Sequence, residues 1–215
     1  MSLVLENIPI IISFLISLTI YFHRDWPNYL RIFPVFLFLS ILAQVVGNFL
    51  EHAQGSNTIF YNFFSVFEFE FYLWIFRAII QNPVFKKIIS QLIWIYPLLF
   101  LLNIIFIQPI NQFHSITYSI GALLIVILSI YYFFEIFQRA YSVKLLQESS
   151  LWICFGLLFF YSCSFPIFGL ANVIAKAHII NIRIFRMTIL VMNIVLYSSF
   201  SVAFLCRIRM RKSIS

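Results

Sequence analysis

IFYNFFSVFEFEFYLWIFR, residues Ile59–Arg77, is an apolar run with two carboxylates, Glu68 and Glu70, close to its centre. Read as a helix rising 1.5 Å per residue, it sets both about 14 to 17 Å from its start, the middle of a hydrocarbon core about 30 Å thick. On insertion scales a charged residue there costs about 2.5 to 3.5 kcal/mol, while each Phe, Ile, Leu or Val returns only about 0.3 to 0.6. The apolar residues barely offset two such charges, so this helix is expected to insert only with partners. At roughly 100° per residue the two carboxylates project roughly 200° apart, which excludes a catalytic dyad. Glu68 shares a ridge with Asn62, Ser65 and Tyr72 and is the expected member of an interior polar seam. Glu70, the second buried carboxylate, shares its side with Trp74 and, two turns on, Arg77.

The same apolar character extends in both directions. Of 215 residues, 63% are hydrophobic and 10% charged, against about 25% charged in a soluble domain. Seven segments are long enough to span a bilayer at about 20 residues each: roughly 8–22, 32–50, 59–80, 88–108, 116–138, 150–174 and 183–206. The expected fold is therefore all-α, a polytopic membrane helix bundle of about seven transmembrane helices, with 1–215 as a single membrane-embedded domain. The connections hold turn formers: Asp25-Trp26-Pro27-Asn28, Gly55-Ser56-Asn57, Gln81-Asn82-Pro83 and Pro109-Ile110-Asn111. Residues 1–9 contain Glu6, no basic residue and no following cleavage site, so the first segment reads as a helix rather than a signal peptide.

The basic residues indicate direction. Arg24, Arg31, Arg77, Lys86, Lys87, Arg139, Lys144, Arg207, Arg209, Arg211 and Lys212 fall on one side, and only Lys176, Arg183 and Arg186 on the other. By the positive-inside rule the amino terminus is expected outside and the carboxyl terminus in the cytoplasm. A net charge of +7 spread over short loops has no continuous basic face, so direct nucleic-acid binding is not expected. The aromatic Trp26, Tyr29, Tyr141 and Trp152 sit where interfacial anchors belong.

Polar residues recur on other helices. Gln44 and Asn48 lie four apart on the second segment, and Asn193 and Tyr197 four apart on the seventh, each pair presenting one polar face. Arg186 enters the seventh segment from the outer side and is expected to reach toward Glu68. Pro97 and Pro166 interrupt the fourth and sixth segments, with Ser162 and Ser164 placed to stabilise a kink. His52, His114 and His178 fall in outer loops, where with Glu51 they could meet around a divalent metal; the spacing matches no ligand pattern, and solvated loop residues are the expectation. His23 stands alone on the inner side. Cys154, Cys163 and Cys206 form neither a disulfide framework nor a metal spacing. There is no HExxH, no GxSxG, no phosphate-cradling Gly-rich loop and no central lysine in the last helix for a retinal Schiff base, so neither catalysis nor a cofactor is expected.

With Tyr61-Asn62, Glu68-Phe69, Phe71-Tyr72 and the late Phe165-Pro166-Ile-Phe-Gly169, the chain resembles a group of bacterial seven-helix membrane proteins of uncharacterised activity, rich in Phe, Ile and Tyr, which implies a bacterial cytoplasmic (inner) membrane. In size and membrane character alone it also resembles the multipass accessory proteins encoded in type VI-B CRISPR loci, which implies a role in antiviral defence. The expected function is a non-catalytic membrane accessory, sensor or effector acting with a cytoplasmic protein partner, with self-association left open. The alternative is an ion or small-solute channel or transporter gated through Glu68. The basic tail Arg207, Arg209, Arg211 and Lys212 reads as a topology anchor, or else as a docking site for anionic lipid or a protein.

Overall fold

The computed structural model describes residues 3–22, 26–138, 145–170, 172 and 182–212. Helix α1, Leu3–Ser17, runs into a 3-10 segment, Leu18–Phe22. It is followed by α2, Asn28–Gln54; α3, Thr58–Ile79; α4, Pro83–Phe106; α5, Ser115–Gln138; α6, Ser149–Gly169, with a 3-10 turn at Leu145–Gln147 before it; and α7, Ile182–Lys212. The fold is all-α with seven helices among the described residues. Six of them, α2 to α7, are long and apolar enough to cross a membrane. Large apolar side chains cover their outward surfaces, from Phe49, 69% exposed, to Phe106, 76%, and Trp94, 81%. A surface of that kind is stable against lipid tails and not against water, so the chain is a multipass membrane protein in contact with the bilayer.

Several boundaries depart from the sequence-based expectation. The fourth helix begins at Pro83 and not near Ile88, because the Asn82 side chain caps it, accepting from Val84 N at 2.9 Å, and proline fits the first helical position. Lys86 and Lys87 are thereby helical residues, not loop residues. The sixth helix stops at Gly169, five positions before Ile174, while the backbone of the last runs on through the basic tail to Lys212. Neither Pro97 nor Pro166 interrupts its helix. Trp26 is buried against the protein, not turned outward as an anchor would be. His23, Arg24, Arg139, Tyr141, Lys144, Lys176 and His178 lie outside the described residues, as do the side chains of Arg183, Arg207, Arg209, Arg211 and Lys212.

The helices group into two compact units. The first comprises Met1–Ile41, Ser129–Phe160 and Arg186–Ser215; the second comprises Leu42–Leu128 and Tyr161–Phe185. In the first, Phe33 meets Phe200 and Phe204 edge to face at 5.0 and 5.6 Å between ring centroids. The Tyr132 hydroxyl and Ser150 Oγ are hydrogen-bonded. Two donors, the Trp152 indole and the Cys206 thiol, converge on the Leu146 carbonyl. In the second unit α3 packs against α4, and Phe69, 1% exposed, is ringed by Tyr96, Tyr118 and Tyr161 at 5.5, 5.4 and 5.2 Å. Lipid competes well for apolar side chains, so helix association in a bilayer depends on such close, oriented contacts and on interhelical hydrogen bonds.

Candidate functional site: a carboxyl among tyrosines

The second unit holds an intramembrane carboxyl, Glu68, with a ring of polar neighbours. On α3, Tyr72 sits one turn beyond Glu68 and its hydroxyl donates to Glu68 Oε1 at 3.3 Å. The hydroxyl of Tyr161, from α6, lies near the same carboxyl, beyond normal hydrogen-bond geometry. Tyr118, from α5, lies within electrostatic reach of Glu68, and its hydroxyl donates to Ser164 Oγ on α6 at 3.2 Å. Tyr72, Tyr161 and Ser164 are all buried. One carboxyl thus stands where α3, α5 and α6 each bring a hydroxyl, and each hydroxyl can donate or accept without carrying charge.

Close approach makes this possible. A Cβ on Gly121 would fall 2.7 Å from the Phe69 ring, so only glycine lets α5 lie that near α3 at this level. Phe69 in turn holds Tyr118 and Tyr161 beside Glu68.

From the ring, polar groups continue toward loop 107–114. Tyr96 donates to the Thr117 carbonyl at 3.1 Å, and Thr117 Oγ1 to the His114 carbonyl at 3.2 Å. Asn62, 1% exposed, fastens the loop to α3: its Nδ2 donates to the Gln112 carbonyl at 2.8 Å and the Ile110 carbonyl at 3.3 Å, and its Oδ1 accepts from His114 N at 3.0 Å. Asn172 donates to the Phe113 carbonyl and to Ser115 Oγ. Gln108 completes the loop, accepting from Asn103 and donating to Ser115.

The ridge read from the sequence is thus partly assembled. Glu68 and Tyr72 are bonded, Asn62 is a loop anchor, and Ser65 turns back to the Asn62 carbonyl. Glu70 lies within electrostatic reach of Tyr96, and its Oε1 is buried without a hydrogen-bond partner. Gln44 and Asn48 are half-buried on α2, on either side of Gly47, which lies against the Tyr61 hydroxyl. Arg186, Asn193 and Tyr197 belong to the first unit, where Arg186 is exposed and Tyr197 buried. His114 is not a solvated loop residue. It is 2% exposed, packed at a tilt against Phe100 with ring centroids 5.3 Å apart, and neither ring nitrogen has a partner of normal hydrogen-bond geometry. Burial pushes its imidazole below the usual histidine range, and the Pro109 carbonyl works weakly the other way. Among the described residues no group of three His, Cys, Asp or Glu side chains is placed to hold a metal ion.

Tyr118 and Tyr161 are absent from the sequence-based expectation, and Ser164 enters it only as a kink stabiliser, not as the partner of Tyr118. A hydroxyl-bearing residue in an otherwise apolar helix was the available signal, and nothing in the sequence says which of them meet. No protein-family model, curated protein or solved structure matches the chain.

Proposed function

We propose that this protein is a non-enzymatic multipass protein of a bacterial cytoplasmic membrane that works as a sensor or effector, with the Glu68 ring as the part that changes state. The observation behind this reading is the convergence of α3, α5 and α6 on one carboxyl through Tyr72, Tyr161 and Tyr118. Gaining or losing the proton on Glu68 changes what its neighbours must donate, and so biases how three helices pack. The helix connections are short, so the chain has little soluble mass of its own and a cytoplasmic partner would read the change. In reconstituted protein, spin labels at exposed Phe63 on α3 and Leu123 on α5 should report different distances in wild type and Glu68→Gln. Identical distances together with saturable solute uptake by the protein alone would reject the proposal.

The second reading is a channel or transporter. It is favoured by the polar groups that continue from Tyr96 and Thr117 to His114 and Asn62. Flux through liposomes holding wild type, Glu68→Gln or Glu70→Gln separates the two: a path through the ring predicts that only Glu68→Gln abolishes flux.

A further inference from the structure

The turn between α3 and α4 opens into a cavity of about 360 Å³ lined by Trp74, Arg77, Ala78, Lys86, Lys87 and Ser90. Three of the six are cations and none is acidic. Glu70, the nearest carboxylate along α3, is two turns from Arg77, about 10 Å along the axis.

Two of the three charges are placed against the helix they border. Lys86 and Lys87 follow directly on the capped first turn of α4, where the helix dipole is positive and disfavours cations. Arg77 adds a third positive charge from the last turn of α3. Ser90 carries no charge to compensate them, and its hydroxyl proton is taken by the Lys86 carbonyl at 2.8 Å. A bias of basic residues toward one membrane face explains which side they are on, not why three converge on one concavity. An anion seated there relieves the mutual repulsion and meets the α4 amino-terminal end favourably. Trp74, half-buried and stacked on Phe71, supplies an aromatic wall of the kind common at headgroup depth. The volume lies within the range of small-molecule sites and exceeds what a bare phosphate fills.

We infer that this cavity binds a phosphate group of net negative charge, such as that of an anionic phospholipid headgroup, held by Arg77, Lys86 and Lys87. The same chemistry could be met by free phosphate, and one titration distinguishes the sources. The full chain in detergent is heated with increasing short-chain phosphatidylglycerol, phosphatidylcholine or inorganic phosphate, for wild type, Lys87→Gln, the Arg77→Gln/Lys87→Gln double variant and Arg31→Gln.

Phosphatidylglycerol should raise the wild-type melting temperature saturably and phosphatidylcholine should not, because its choline brings a positive charge to a positive site. The double variant should shift half-saturation at least about tenfold, and Lys87→Gln alone about threefold, each lost cation removing a charge-assisted contact. Arg31→Gln, which removes a charge elsewhere, should behave as wild type. Equal potency of inorganic phosphate would assign the site to the free anion, and greater potency of the lipid to a headgroup. Should the double variant fail to fold, the threefold shift expected of Lys87→Gln is the deciding measurement, since Lys87 is exposed and its loss leaves the packing intact. Phosphatidylglycerol and phosphate responses unchanged by these substitutions, or a phosphatidylcholine response equal to that of phosphatidylglycerol, would overturn the inference.

Discussion

Glu68 and Tyr72 are four residues apart on one helix, so their hydrogen bond costs α3 no distortion. The contacts to Tyr161 and Tyr118 are different in kind, because each depends on another helix arriving in register. Glu68→Gln keeps an oxygen that can accept from Tyr72 and should destabilise the protein by under about 1 kcal/mol; Glu68→Ala removes the acceptor and should cost about 2 kcal/mol. Unfolding in mixed detergent measures both, and equal losses would mean that the ring contributes nothing specific. His114 gives a second test. Its folded-state pKa is depressed by burial, so the unfolded chain binds the proton more readily. Its share of stability is therefore complete above about pH 6.5 and lost as pH falls below that value. His114→Phe keeps an aromatic ring against Phe100 and has no nitrogen to charge. Melting temperatures between pH 8 and 5 should show a steeper acid loss for wild type than for the variant.

At the scale of elements, the contacts of α3 decide how much the sequence could tell. Its ridge of Asn62, Ser65, Glu68 and Tyr72 follows from helical geometry alone, and the Glu68–Tyr72 bond is legible for that reason. The role of Asn62 is not, because its partners Ile110, Gln112 and His114 lie about fifty positions away and two of the three bonds use backbone carbonyls. Backbone groups leave no mark in residue identity. His114 departs from expectation for the same cause: a loop fastened by Asn62 and Asn172 buries a histidine that its own neighbours describe as exposed. Asn62→Ala should leave α3 helical while amide exchange through residues 110–114 quickens about tenfold or more, the loss of about 1.4 kcal/mol or more from three bonds. Gly121 is the other determinant of α3 packing. Gly121→Ala places a methyl against Phe69 and should cost about 1 to 3 kcal/mol, with Phe69→Leu in the same chain restoring part of it. A fully stable Gly121→Ala protein would contradict the close α3–α5 approach.

For the whole molecule the open quantity is the number of crossings, and it turns on α1. Six helices are long enough by themselves, and an even count would put both ends of the chain on one face. The α-helical part of α1 has 15 residues, about 22 Å at 1.5 Å each. The next five, Leu18–Phe22, wind as a 3-10 helix, whose larger rise of about 2.0 Å per residue adds about 10 Å. Together they reach about 32 Å, enough for a hydrocarbon core of about 30 Å. The side chains agree with a span. Ile10, Ser13, Ser17 and Ile20 are fully buried while Ile12 and Leu15 are exposed, and both faces lack the charged stripe of a helix lying in the interface. The hydroxyls of Ser17 and Thr19 bond to the Phe14 and Ile16 carbonyls at 2.6 Å each, which satisfies them without water. With Cys154, Cys163 and Cys206 replaced, single cysteines at Ser2 and Ser213 should react with an impermeant thiol reagent from opposite faces of sealed vesicles. Labelling from the same face would mean that α1 does not cross, and the charge asymmetry of the loops would then need another explanation, with the Glu68 ring unaffected because all of its members lie in α3, α5 and α6.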